Sequence, residues 1–536
     1  MLKSIFKVDD KPFFSIGGQV NNSSTYNRED ILRSFDIARK IGLNTIAVPI
    51  YWNQIEKEKD VYDTSIIDLL IEQCEKHNLK LCLIWFGIYK NGASSYVPNY
   101  LKENADIYWP IHTIRGLITS TLSPICEATK KREQDAYEMV ILKLKEVDKK
   151  GATIGLQIEN EPGSLGAARD YSPRGEASFS ENVPADLLDL INSLDDCPLR
   201  KFYLDNGSKS RASWADTFGF YAAEIYMSYY CSKYINDIAA IAKKHLKLPT
   251  YLNCWTSING SRVPGFSYPS GGPTMNAIEI YKRFAPNIDT LSPDVYALGA
   301  TEFFNQVTPY ARKDNILFIP ETFPFVDQYP YIFQSIKEHA LSGVHSFGID
   351  VSLHESGELN ERAVKYQKVV TILNNAKSLL EEKIGSLDFI SIYQIFGEMY
   401  EHYELGGYIL KVVFFNKNNP VFAHVDARHR SEALFTDVPL GFVFKGDDDT
   451  FYVVGQGFTV NFTKKVSLEQ VTDSLLYDTS HSKNCFRPFL EIQEGTYADG
   501  KFIPERSRNG DEIDYGVWVT SDVKAVRVRF PKKAAI

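Results

Sequence analysis

From Phe13 to about residue 375, short apolar runs alternate with longer stretches in which apolar residues recur every three or four positions. The runs Phe13–Gly18, Asn44–Pro49, Lys80–Trp85, Thr153–Ile158, Thr250–Asn253, Thr290–Asp294, Ile316–Pro320 and Val344–Asp350 are mostly apolar or β-branched. They predict parallel strands covered on both faces by helices. Between them, 29–41 places Ile31, Phe35, Ala38 and Ile41 at helical spacing behind Asn27, a capping residue type. The stretch 64–77 carries Ile67, Leu70, Ile71 and Cys74 on one face, and 132–148 carries Ala136, Met139, Val140, Leu144 and Val147. Eight such units predict a (β/α)8 TIM barrel rather than an open doubly wound sheet. The insertions 86–129, 161–212 and 255–274 all follow strands. In a barrel that puts them on the C-terminal face, where active sites are built.

The texture changes near Leu380. A helix over 360–383 is expected to close the barrel. Alternating runs at 408–415, 451–460 and 517–530 then predict an antiparallel, sandwich-like β domain. The division expected is a barrel over 1–378 and a β-rich unit over 379–536. The acidic triplet Asp447-Asp448-Asp449 lacks further spaced oxygen ligands and reads as a turn rather than a calcium loop.

Composition narrows the function classes. The 536 residues are 44% hydrophobic and 24% charged, which excludes a disordered or fibrous chain. A net charge of −9 leaves no electrostatic footprint for nucleic acid. The basic runs Lys130-Lys131-Arg132 and Lys149-Lys150 flank an amphipathic segment and are expected on a solvated helix face. No apolar run is long enough to span a membrane, and the N-terminus shows no signal-peptide pattern, so the chain reads as cytoplasmic. The seven scattered cysteines form no CxxC pair and read as reduced thiols. Phosphate-binding glycine motifs and zinc-spaced histidines are missing, and no cofactor or metal is expected. Aromatic residues reach 13%, which fits either large cores or a cleft that stacks on sugar rings.

Two strand ends carry the chemistry. Ile154-Gly155-Leu156-Gln157-Ile158-Glu159-Asn160-Glu161-Pro162-Gly163 ends a buried strand in Asn-Glu and breaks it at Pro-Gly. Ile316-Leu317-Phe318-Ile319-Pro320-Glu321-Thr322 again ends an apolar strand in a carboxylate. These are strands four and seven, on opposite sides of a small barrel, so Glu161 and Glu321 can converge on one sugar. Retaining glycosidic cleavage needs such a pair about 5–5.5 Å apart, one protonated and one ionised. Asn160 suits a hydrogen bond to a sugar 2-hydroxyl.

With these strand ends go Gly17-Gly18-Gln19-Val20-Asn21-Asn22-Ser23-Ser24, Pro49-Ile50-Tyr51-Trp52-Asn53-Gln54-Ile55-Glu56 and Trp85-Phe86-Gly87-Ile88-Tyr89-Lys90-Asn91. Ala168-Arg169-Asp170-Tyr171-Ser172-Pro173 and Ser292-Pro293-Asp294-Val295-Tyr296 follow. In this order the motifs resemble glycoside hydrolase family 35 β-galactosidases, in the bacterial branch with a β-rich C-terminal domain. The resemblance covers most of 10–375. It implies that Glu161 is the acid/base, that Glu321 is the nucleophile, and that the substrate is a terminal β-galactoside, in some members on xyloglucan side chains. Three positions depart from the pattern: Gln19 stands where Glu is usual, Pro162 where Ile is frequent, and Asp350 where Glu is expected.

Further candidates follow from position. Tyr296 ends strand six, beside Glu321, where it can hydrogen-bond the nucleophile or simply pack. Tyr51 and Trp52 follow strand two, Lys90 and Asn91 follow strand three, and Trp255 ends strand five; each faces either the sugar or the core and surface. Glu56 and Glu159 are further carboxylates that this placement would put near the site. On a regular strand Glu159 shares a face with Glu161, where its charge would raise the Glu161 pKa. Two other readings stay open: a retaining glycosidase for β-glucosides or α-L-arabinopyranosides, and a non-catalytic sugar-binding barrel. The partner expected is a carbohydrate, with no nucleic acid or membrane, and a homo-oligomer is left open.

Overall fold

The computed structural model describes residues 4–257, 263–324, 326–415, 438–465, 489–513, 516–520 and 522–531. Eight parallel strands make one sheet: β1 (Ser15–Gln19), β2 (Thr45–Tyr51), β3 (Lys80–Lys90), β4 (Thr153–Asn160), β5 (Thr250–Trp255), β6 (Thr290–Val295), β7 (Glu321–Thr322) and β8 (Gly343–Phe347). Each pairs with the next, and β8 returns to β1. The ring closes at Ile319, which bridges in parallel to Val344. Helices α1 (Arg28–Ile41), α2 (Ser65–His77), α3 (Glu127–Val147), α4 (Ala222–His245), α5 (Ile278–Phe284), α6 (Ala300–Val307), α7 (Tyr329–Glu338) and α8 (Glu361–Lys383) alternate with the strands. The fold is the expected TIM barrel. β2 and β4 are buried at every position because helices cover one face and the barrel interior the other. Asn27 caps α1, its side chain accepting from the Asp30 amide.

The strand boundaries shift for local reasons. Strand seven pairs with β6 at Glu321 and Thr322 and with β8 earlier, at Ile319; Pro320 between them has no N–H to donate. β3 runs on to Lys90 past a register shift after Trp85. β8 stops at Phe347, where Gly348 turns left-handed into a short 3-10 turn, Ile349–Val351.

The Lys130-Lys131-Arg132 run is not wholly a solvated face. Arg132 is buried against Glu56 and also pairs with Asp60 at 2.8 Å. Glu56 accepts from the Trp52 indole N–H at 3.0 Å as well. Three positions read as surface or site therefore form one buried polar knot under α3. The basic run is helical, but α3 packs too closely on the segment after β2 for Arg132 to reach water. Lys131 stays outside, paired with Asp135, and Lys149 and Lys150 are exposed.

Two antiparallel sheets follow the barrel. One orders Phe389–Tyr393, Leu440–Lys445, Thr450–Gln456, Ala525–Arg529, Glu491–Ala498 and Lys501–Ser507; the other orders Tyr400–Leu405, Tyr408–Phe414, Phe458–Lys464 and Val517–Val519. Leu410, Val412, Phe414, Val453 and Val526 belong to the core between them. Phe389, Phe442 and Phe444 instead join the barrel's core, where Phe442 stacks on Phe333 of α7 at 4.8 Å between centroids. Asp448 and Asp449 both have positive φ, and the Thr450 amide donates to the Asp447 carbonyl, so the acidic triplet forms a tight hairpin turn. Cys74, Cys82, Cys126, Cys197, Cys231 and Cys254 are free thiols, and Cys485 lies outside the described residues. Among the described residues no helix is long and apolar enough to cross a membrane.

Candidate active site

Glu161 and Glu321 meet at the C-terminal end of the barrel. One oxygen from each, with one from Asp294, lies within 4.8 Å of the others, and all three side chains are buried. Asp294 arrives by register: on β6 it pairs directly with Glu321 on β7, so the two project side by side. Glu161 arrives by a break in β4.

That break overturns the expectation for Glu159. A regular strand would put Glu159 and Glu161 on one face and Asn160 on the other. Glu159 and Glu161 instead have φ of 61° and 46°, the left-handed region that side chains other than glycine rarely enter. Asn160 and Glu161 both turn into the barrel mouth, and Glu159 turns out behind the strand. There it accepts from the Tyr89 amide at 2.8 Å and faces Glu133 of α3. Glu133 in turn accepts from Trp85 Nε1 at 2.8 Å and the Tyr234 hydroxyl at 2.7 Å. Burial, then the charge of Glu133, pushes Glu159 well above the usual carboxylate range, and burial raises Glu133 too.

Glu321 is held by donors from three strands and by Tyr296, just past the end of β6. Oε1 accepts from Gln19 Nε2 at 2.8 Å, Asn160 Nδ2 at 3.1 Å and Asn253 Nδ2 at 3.4 Å. Oε2 accepts from the Tyr296 hydroxyl at 2.9 Å. Burial, then the charge of Glu321, holds the Tyr296 phenol well above its ordinary pKa, so it stays a donor. Glu161 is in a different position. Burial first, then the Glu321 charge, raises it to about 7, and Lys90 offsets part of that. One carboxyl thus keeps its proton on the acid side of neutrality, beside a carboxylate held by N–H and O–H groups. The trio also has the spacing of metal ligands. Glu321 already accepts from four side chains and Asp294 Oδ2 from Asn253, so N–H and O–H donors supply the stabilisation a cation would give.

The other candidates divide. Lys90 reaches the site, donating to Asn160 Oδ1 at 2.7 Å. Asn91 is exposed, but its side chain accepts from Lys90 and its amide donates to the Asn160 carbonyl. Trp255 is half-buried and lies beside Asp294 in register. Tyr51 and Trp52 are not brought to the carboxylates. Tyr51 is stacked between Tyr26 and Tyr96, with centroids at 4.4 and 4.9 Å, and Trp52 is in the core on Glu56. The chain bends into a short helix, Trp52–Ile55, directly after β2, and Tyr51, the last residue of β2, packs with Phe86 of β3 in a buried cluster with Ala47, Cys82 and Phe318. Asp350 accepts from the Asn21 amide at 3.0 Å and from the Ser24 hydroxyl, tying the loop after β1 to the end of β8.

Three residues of the constellation carry no role in the sequence reading: Gln19, Asn253 and Asp294. Asn253 is its hub. Its Oδ1 accepts from the Glu161 amide at 2.8 Å, and its Nδ2 donates to Asp294 Oδ2 at 2.7 Å. The signal available was a polar residue at or near the C-terminal end of an otherwise buried strand, which all three share.

The loops beyond are tied down. Ser164 and Ser270 exchange backbone hydrogen bonds at 2.9 Å, zipping the segment after Glu161 to the one after β5. Gly163, at φ 124°, permits this: a Cβ there would meet the Ser270 carbonyl at 2.6 Å. Glu224 of α4 accepts from Tyr268, Thr274 and Asn276, each at 3.0 Å, and anchors the same loop. Residues 258–262 of that insertion lie outside the described residues.

Tyr296→Phe is expected to lower kcat/KM by about 10- to 100-fold, since a hydrogen bond to a charged group contributes roughly 1.5–3 kcal/mol. Steady-state kinetics with an unchanged melting curve checks this.

Two solved β-galactosidases share the fold. The cold-adapted β-galactosidase from Rahnella sp. R3 aligns with a TM-score of 0.50 at 12% identity, over 72% of this chain and 58% of its own. A catalytic mutant of Gan42B, a GH42 β-galactosidase from G. stearothermophilus, gives 0.50 at 12% identity, over 72% and 59%. The chain therefore spans less than three fifths of the length of either enzyme. Residues 368–520 match the model of DUF5597, a domain of unknown function. No curated protein matches the sequence. The barrel is thus of the type on which these glycoside hydrolases are built, and at 12% identity the likeness is one of fold.

Proposed function

We propose that this protein is a retaining exo-β-galactosidase of glycoside hydrolase family 35 type, acting on terminal β-D-galactosyl groups of oligo- or polysaccharide side chains. In this reading the barrel is the catalytic unit over 1–378, and 379–536 form an accessory β domain. The observation that carries it is the close approach of Glu161 and Glu321, with oxygens within 4.8 Å at the ends of β4 and β7. An inverting enzyme needs room for a water between its carboxyls, about 6.5–9.5 Å. Glu321 attacks the anomeric carbon while Glu161 gives its proton to the departing oxygen. Water then releases the sugar with Glu161 as base. Asn160, between Lys90 and Glu321, is placed to meet the 2-hydroxyl.

Proton NMR of the protein freshly mixed with an aryl β-D-galactoside tests this. The first free sugar is expected to be β-galactose. Early α-galactose would overturn retention. Turnover of β-glucosides or α-L-arabinopyranosides in its place would move the sugar assignment, and tight binding without turnover would make the barrel a sugar-binding protein.

A further inference from the structure

We propose that Asp294 is a positioning residue that keeps its own proton through the catalytic cycle and donates it as a hydrogen bond to Glu161, so that Glu161 can become a carboxylate beside Glu321. This rests on the acid/base reading of Glu161. The geometry assigns each oxygen. Asp294 Oδ2 accepts from Asn253 Nδ2 at 2.7 Å. Oδ1 is buried and accepts from no N–H or O–H group among the described residues. One oxygen of Asp294 and one of Glu161 lie within 4.8 Å of each other, and both side chains are buried. A proton on one of two buried carboxyls this close relieves their repulsion.

The surroundings place that proton on Asp294. Asp294 pairs in register with Glu321, and Cys254 on β5 brings no positive charge. Tyr296, Tyr251 and Tyr310 around it are neutral phenols. The charge of Lys90 acts on Glu161. Burial, then the charges of Glu321 and Glu161, hold Asp294 well above the usual carboxylate range.

The proton count closes at each step. At rest the three carboxyls carry two protons, on Glu161 and Asp294, and Glu321 is ionised. Glycosylation moves the Glu161 proton to the leaving oxygen as Glu321 forms its ester bond, and Asp294 now donates to the new Glu161 carboxylate. Water adds its oxygen to the anomeric carbon, its proton returns to Glu161, and Glu321 is released. Asp294 gains and loses nothing. Without its hydrogen bond, Glu161 as a carboxylate is less stable, so Glu161 titrates at higher pH and gives its proton to the leaving oxygen less readily.

The test compares Asp294→Asn with Asp294→Ala in the full chain. Asparagine retains both contacts: its oxygen accepts from Asn253 and its NH2 donates to Glu161. Asp294→Ala is expected to move the alkaline limb of kcat/KM on an aryl β-D-galactoside to higher pH and to lower kcat about 100-fold. Asp294→Asn should return the limb to within a few tenths of a pH unit of wild type. Limbs at the wild-type pH in both variants, or a limb displaced equally in both, would overturn the proposal. An infrared difference spectrum of wild type minus Asp294→Asn at neutral pH gives a readout free of turnover. A lost C=O stretch of a protonated carboxylic acid is expected; a lost carboxylate band overturns the proposal. If the acid band is lost but no β-glycoside is turned over, the proton on Asp294 stands and the glycosidase reading fails. If galactosides are hydrolysed and no acid band is lost, the reverse holds.

Discussion

Glu321→Ala is expected to lower kcat on an aryl β-D-galactoside by on the order of 10⁵-fold, as loss of a covalent nucleophile does. Gln19, Asn160, Asn253 and Tyr296 all direct their hydrogens at this carboxylate, so its oxygens are held where an attacking atom is needed. Alanine leaves a hole lined by those donors, of a size and polarity that suit a small anion. Azide added at high concentration should occupy it and attack the anomeric carbon from the face Glu321 used. With a reactive aryl leaving group, the product is α-galactosyl azide, one inversion from the β substrate. NMR of that product, together with the rate, gives the nucleophile directly. Undiminished turnover by the variant would remove Glu321 from that role.

The second large effect concerns Glu161 and pH. Its carboxyl is raised to about 7 by burial and by the Glu321 charge. The first chemical step needs this group protonated, so kcat/KM should hold on the acid side of neutrality and fall tenfold per pH unit above about 7. Glu161→Ala should remove that limb altogether. On an alkyl β-galactoside, whose leaving oxygen needs a proton, the loss should be about 10²–10⁴-fold, the usual contribution of general acid catalysis. On a dinitrophenyl galactoside, whose leaving group departs unaided, the first step should change little and a slow second step should produce a burst. Profiles of kcat/KM against pH for both substrates check this. An alkaline limb that persists in the variant would assign the titration to another group.

Much of the site was legible because barrel strands end where chemistry is built. Glu161, Glu321, Asn160 and Tyr296 stand at or just past the ends of apolar runs, and the structure brings them into one hydrogen-bonded group. Gln19, Asn253 and Asp294 have the same strand-end signal but read as motif or strand residues. Their part in the group comes from partners 41 to 302 positions away in the chain. Two readings changed for local reasons. Glu159 was placed by regular strand geometry and Arg132 by residue type. Glu159 is turned by its positive φ and Arg132 is held by Glu56. For Trp52 the sequence left sugar and core both open, and it is in the core.

The sequence by itself determined the eightfold alternation of strand and helix, the change to antiparallel pairing after the barrel, and the two glutamates at strand ends. Those are local properties: periods of two and 3.6 residues, and a carboxylate where an apolar run stops. Only the tertiary structure supplies the burial and charge that raise Glu161, the donors that hold Glu321, and a third carboxyl within 4.8 Å of both. Such charge states depend on burial and on groups brought within a few ångströms by closure of the barrel, and no spacing along the chain encodes those distances.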